Sequence, residues 1–194
     1  MADAKPAPQL PPTHDAHSRL AKPLKENQLD HDLLQRKLGH LIKSLETVSG
    51  QTVMKFERQN VRAILEILRS DPELAFNMPT DITCVDNLRR EDFEPARRFT
   101  MIYIVYSYSH GKRVRLEADL PEHDPRIASS VGIYRGGPWI EREVYDMFGI
   151  EFTGHPDLRR VLMPDYYEHF PLRKDYPLTG RGERDNFIRA EEVE

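Results

Sequence analysis

"RRFTMIYIVYSYSHGKRVRLEADLP", residues 97–121, decides the fold class. Two runs rich in β-branched and aromatic residues flank His110-Gly111, and glycine tolerates the positive φ that a two-residue hairpin turn requires. With those two residues as the turn, Ser107 pairs with Val114, Val105 with Leu116, Tyr103 with Ala118 and Met101 with Leu120. That register gathers one consistently apolar face for helices to cover. The opposite face carries Ile102, Ile104, Tyr106 and Tyr108 beside Arg113, Arg115, Glu117 and Asp119. A strand apolar on both faces is covered on both. Two covers fit: more of this chain, or a partner protein, because interface cores favour aromatics and arginine.

Upstream, "LDHDLLQRKLGHLIKSLETV" places Leu34, Leu38, Leu41, Leu45 and Val48 at helical spacing, which predicts one helix with Asp30 as N-cap and Gly50 as its stop. "TVMKFER" reads as a short strand. "NVRAILEILRSDP" reads as a second helix capped by Asn60, with Val61, Ile64, Leu65 and Leu68 on one face and Pro72 as its limit. "TDITCVDNL" reads as a weaker strand, since Ile82 and Cys84 alternate and Val85 interrupts.

Downstream, "PWIEREVYDMFG" reads as a short amphipathic helix. Pro138 suits its first turn, Glu141 and Glu143 lie near its positive end, Ile140, Val144, Met147 and Phe148 share a face, and Gly149 follows as the C′ residue. Glu141, Arg142 and Asp146 form its polar face, either as a solvated stripe or as paired networks with Arg159 and Arg160 or with a partner's charges. Beyond it the chain shows no sustained period, and Pro156, Pro164, Pro171 and Pro177 each remove a backbone donor. It nevertheless keeps Leu158, Leu162, Tyr166, Tyr167, Phe170, Leu172, Tyr176 and Phe187. An extended arm with that many apolar anchors is expected to lie on another protein. The expected organisation is therefore a flexible Pro-rich tail over 1–28, an α+β domain over 29–150 and a partner-binding arm over 151–194. The domain is expected to have two layers, helices on a small mixed but mainly antiparallel sheet.

Composition narrows the function. The chain has 194 residues and a formal net charge of −4, without the basic field that nucleic-acid binding needs. Residues 155–194 carry seven basic and nine acidic side chains, so the arginines there suit carboxylate partners better than phosphates. Cys84 is the sole cysteine, which excludes an internal disulfide, a four-thiolate zinc site and an iron–sulfur cluster ligated by this chain alone. The longest strictly apolar run, "MIYIVY", is far short of the roughly 18 residues of a membrane span, so membrane contact is expected only through partners. The N-terminus matches neither a secretory signal nor a transit peptide, and a bacterial cytoplasmic protein is the simplest expectation. A free-standing metal-dependent hydrolase could use His155 with Asp157, or His169 with Asp165. His-Pro-Asp is more often a turn closed by local hydrogen bonds.

"ERE" at 141–143, "YDMFGIEFTGHPDLRR" at 145–160 and "PLRKDYPLTG" at 171–180 closely resemble the signature of the C subunit of NADH-quinone oxidoreductase, a peripheral-arm component of respiratory complex I. The weaker resemblance runs back through the hairpin to about residue 30. One departure stands out: where the family usually reads Gly-His-Pro, this chain has His169, Phe170 and Pro171. The resemblance implies a subunit without flavin, iron–sulfur cluster, metal or quinone pocket of its own. It would pack against the D subunit, which forms much of the quinone site, and lie near the cluster-bearing B subunit, on the cytoplasmic side of the bacterial inner membrane. The whole assembly would use FMN, iron–sulfur clusters, NADH and quinone, and would couple electron transfer to proton translocation. Relatives in membrane-bound hydrogenases and other complex-I-like assemblies keep that alternative open. The positions that carry the signature, and the predicted interface, are Glu141, Arg142, Glu143, Tyr145, Asp146, Phe148 and Gly149 on the helix. His155, Pro156, Asp157, Arg159 and Arg160 follow, and then Arg173, Lys174, Asp175 and Tyr176. No catalytic residue is implied.

Overall fold

The computed structural model describes residues 29–182, so the tail expected over 1–28 and the arm's end over 183–194, with Phe187, lie outside the described residues. Helix α1 (His31–Leu38) begins where Asp30 Oδ1 accepts the amides of Asp32 and Leu33 at 3.0 and 3.1 Å. It stops after two turns. The helix expected to run on to Val48 is instead a hairpin of β1 (Ile42–Val48) and β2 (Gln51–Phe56). Ser49 and Gly50 both have positive φ, 49° and 74°, the signature of the tight turn whose twist matches paired strands. Gly50 therefore reverses the chain between two strands where a helix stop was expected. Leu41 and Leu45 still touch the core, Leu45 from a strand.

Helix α2 (Val61–Ser70) buries Val61, Ile64, Leu65 and Leu68 as its spacing requires. Asn60 does not cap it with its side chain, which donates to the Leu41 carbonyl at 2.9 Å and so ties α2 to the entrance of β1. Strands β3 (Met78–Asp86), β4 (Phe99–Ser107) and β5 (Lys112–Leu120) complete a five-stranded sheet of order β1-β2-β5-β4-β3. All neighbours are antiparallel except β2 and β5, which makes the sheet mixed.

The β4–β5 register differs from the expected one by two residues: Ser107 faces Lys112, Val105 faces Val114, Tyr103 faces Leu116 and Met101 faces Ala118. Positions 108–111 form the loop. A two-residue turn at His110-Gly111 would need positive φ at His110, and only Gly111 has it, at 61°. Because the slip is even, every side chain keeps its face. Met101, Tyr103, Val105, Val114, Leu116 and Ala118 are buried in one cluster with the helices.

The other face divides. At one end Ile102 is buried, and it lines a groove of about 490 Å³ together with Phe93 from the loop over 87–97, Arg115 and Glu117. At the other end Ile104 and Tyr106 are half-buried and Tyr108 is 65% exposed. Among the described residues, the chain's own structure covers one half more fully than the other.

Strand β6 (Arg126–Ala128), helix α3 (Gly137–Phe148) and strand β7 (Glu151–Thr153) follow. Strand β7 pairs in parallel with β6, and Ile150 and Phe152 enter the core. Strand β7 ends at Thr153, and residues 154–182 hold no further helix or strand. The whole is an α+β fold, and it brings the end of α3 and the ends of β3 and β4 under that arm.

Candidate interaction site

Helix α3 is built as its sequence dictates: Pro138 in the first turn, and Gly149 left-handed at φ 72°, its amide donating to the Tyr145 carbonyl. Its polar face is not a solvated stripe, because Glu141, Arg142 and Asp146 are all buried. Glu141 accepts from Ser129 Oγ at 2.5 Å and from the Ser130 amide and hydroxyl at 2.6 Å each. Arg142 donates to the carbonyls of Arg159 and Arg160 at 3.1 and 2.9 Å, with its guanidinium 4.8 Å from the centre of the Trp139 ring. Glu143, the remaining charge, is exposed.

Asp146 organises the arm. Its Oδ2 accepts three successive amides, Val161, Leu162 and Met163, at 3.0, 2.7 and 2.8 Å, while Oδ1 takes Arg160 Nη1 at 2.6 Å. Burial alone would raise this carboxyl, but the amides of Met163 and Leu162, then Arg160 and Val161, outweigh it and hold it below the usual carboxylate range. Arg160 also donates to the His169 carbonyl and lies over the rings of Tyr167 and Phe170. Of the two arginines expected to pair with the helix, only Arg160 does. Arg159 stays at the surface, 3.0 Å from Asp157, and serves α3 through its carbonyl.

A second fastening lies at the ends of β3 and β4. Asp86 is fully buried and accepts Arg98, the Leu88 amide at 3.0 Å and, from the arm, the Lys174 amide at 2.9 Å. Arg98 also reaches Asp175 at 2.8 Å and Glu122 at 2.5 Å. Burial works against the Arg98 charge, but Asp86, Asp175 and Glu122 together raise its pKa further above its ordinary value. Arg173 donates to the Phe148 carbonyl at 2.5 Å and is sandwiched between Phe99 and Phe170, at 5.2 and 4.5 Å. Burial first, and then repulsion from Arg98, lower its pKa. The Tyr176 hydroxyl meets that of Tyr167 at 2.8 Å, and Tyr145 packs edge-on to Phe170. The described part of the arm thus lies on its own domain along this side.

The hydrolase pairs are not assembled. His155 uses both ring nitrogens: Nδ1 accepts the Asp157 amide at 3.0 Å, which leaves Nε2 to donate to the Pro138 carbonyl at 3.0 Å. Pro156 and Asp157 are exposed. His169 packs edge-to-face with Tyr167 and at a tilt against Tyr176, and Asp165 is exposed. Asp86, Arg98, Ser129 and Ser130 were not singled out from the sequence. For Asp86 a signal existed, since it continues the inward alternation of Ile82 and Cys84 and so places a carboxylate at a core position.

Residues 54–182 match the family described as respiratory-chain NADH dehydrogenase, 30 Kd subunit, and the chain belongs to that family. It is 40% identical over 147 residues to the first C subunit of NADH-quinone oxidoreductase from Rhizobium meliloti (strain 1021), covering 76% of this chain and 70% of that one. It is also 40% identical over 149 residues to the NADH-quinone oxidoreductase C subunit of Trichlorobacter lovleyi, covering 77% and 88%. Among solved structures, the trypsin-resistant fragment (1-134) of Nqo5 superposes with TM-score 0.57 at 28% identity, over 66% of this chain and 96% of the fragment. A chain of the archaeal membrane-bound sulfane sulfur reductase shares the fold alone, with TM-score 0.64 at 18% identity over 82% and 92%. Among the described residues no helix is long and apolar enough to cross a membrane.

Proposed function

We propose that this chain is a structural component of the peripheral arm of proton-translocating NADH:quinone oxidoreductase. It carries no cofactor, docks against the quinone-site D subunit near the cluster-bearing B subunit, and sits on the cytoplasmic side of the bacterial inner membrane. The observation that carries the reading is the half-open outer face of the sheet. Ile104, Tyr106 and Tyr108 form an apolar end that the described residues cover only in part, and a protein partner is the economical cover. The iron–sulfur clusters of such an assembly would find too few ligands here. A cluster needs several thiolates, whereas Cys84 is the one cysteine, buried among core residues, with its thiol pushed up by burial and by Asp86.

The test is co-purification with tagged wild-type chain and with Tyr106→Glu, which puts a charge into an apolar contact. The variant is expected to keep its circular dichroism and to recover much less of the quinone-site subunit. Equal recovery, or global unfolding of the variant, refutes the docking role of this face. Stoichiometric flavin or cluster absorbance in the pure chain refutes the cofactor-free assignment.

A further inference from the structure

Asp86 and Arg98 stand at the two stems of the loop over 87–97, the first as the last residue of β3 and the second immediately before β4. Both are buried, and both are shared with the arm. The Asp86 carboxylate divides its oxygens. Oδ1 accepts the Leu88 amide at 3.0 Å, from the loop, while Oδ2 accepts the Lys174 amide at 2.9 Å, from the arm. Arg98 spans that carboxylate with Nε and Nη2 and holds Asp175 at 2.8 Å. Inside the loop, Arg89 Nη2 donates to the Lys174 carbonyl at 3.1 Å. Lys174 is thus gripped at its amide by the residue before the loop and at its carbonyl by one within it.

The same loop lines the groove on the outer face of the sheet, where Asn87, Arg90, Phe93 and Arg97 meet Arg115 and Glu117 of β5. At its far end the Pro95 carbonyl accepts the Glu122 amide at 2.9 Å, independently of the arm. Among the described residues, the one hydrogen bond that side chains of 88–94 send out of the loop is that of Arg89 to Lys174, since Arg90 pairs with Asp92 and Glu94 with Arg97. A loop with so few outside ties opens at low cost, and the bonds at its stem set its protection.

We propose that Lys174 and Asp175 act as a clasp on the stem of this loop, so that seating of the arm fixes residues 88–94 and with them the wall of the outer-face groove. The end of the arm and the groove then form one linked unit. Whatever orders the loop from the groove side favours the seated arm by the same factor. The link lies within the chain and holds whichever complex the chain joins.

Hydrogen exchange by mass spectrometry on the full chain tests the clasp. Lys174→Pro removes the amide that Asp86 accepts and leaves every loop residue unchanged. Peptides over 88–94 are expected to exchange about tenfold faster or more in the variant, while those over 100–106 in β4 keep the wild-type rate. Unchanged exchange over 88–94 overturns the clasp, whatever happens over 173–176. Acceleration that extends equally into 100–106 overturns it as well, because it marks general loosening. Arg89→Ala, at an exposed position, tests the reverse direction. Exchange over 173–176 is expected to rise roughly threefold or more, the effect of one hydrogen bond. An unchanged rate there overturns the coupling.

Discussion

Asp146→Asn separates an arm held by a buried charge from one merely lying on the surface. The substitution keeps the shape, so a carbonyl oxygen can still face the amides of Val161, Leu162 and Met163, but the new amide group then points its hydrogens at Arg160. Removing one partner of a buried pair costs about 3–5 kcal/mol. Arg160 keeps the His169 carbonyl and its ring contacts, so its charge is not stranded and the lower end, about 3 kcal/mol, is expected. Trp139 is the only tryptophan of the chain and lies under Arg142, which holds the arm carbonyls, so its fluorescence reports the arm. A urea melt followed at Trp139 should shift its midpoint down by about 1–3 M at slopes of about 1–3 kcal/mol/M. Far-ultraviolet dichroism should move less. A cycle with Arg160→Gln should give a coupling above about 1 kcal/mol. A shift below about 0.5 kcal/mol, or no coupling, would refute the buried pair. The carboxyl is depressed in the folded state, so its contribution is full above the unfolded value near 3.9 and is lost as pH falls through the lower folded one. The arm should therefore hold evenly from about pH 5 to 8 and loosen only below about pH 4.

Two further outcomes are expected. Glu141→Gln replaces an oxygen that accepts a serine hydroxyl with a donor and should cost about 1–3 kcal/mol in thermal or urea unfolding. Glu143→Gln, on the same helix but exposed, should stay within about 0.5 kcal/mol, and equal effects at the two sites would refute the burial argument. Gly149→Ala must hold φ 72° with a side chain, at about 1–2 kcal/mol. Its Cβ would also lie 2.6 Å from Arg173 Nη2 and from the Phe170 ring. Faster amide exchange over 170–176 is expected, and unchanged exchange there would refute the contact.

The two faces of the β4–β5 hairpin were legible because alternation survives an even slip, whereas the register depended on whether His110 adopts positive φ, which no pattern encodes. Residues 30–48 misled because leucines spaced by four and three satisfy a helix stripe, while the Ser49-Gly50 turn that follows them leaves the spacing untouched. The signature positions on α3 could be located but not their burial, since Glu141, Arg142 and Asp146 bind serines, carbonyls and amides that carry no periodicity. Phe170, the visible departure from the family, turned out to be the ring on which Arg160 and Arg173 both rest.

Asp86 accepts an amide from 88 residues further along the chain, and Asp146 from 15 to 17 further along. During synthesis every strand and helix of the α+β domain is therefore made before its last hydrogen-bond donors. A nascent chain ending at Thr153 holds Asp86 with Arg98 and the Leu88 amide but without Lys174, and Asp146 without Arg160 or any of its three amides. Shortening the gene from its 3′ end is consequently not a trimming of surface. It leaves Asp86 with Arg98 and the Leu88 amide, but turns Asp146 from a satisfied acid inside the protein into one that must find water.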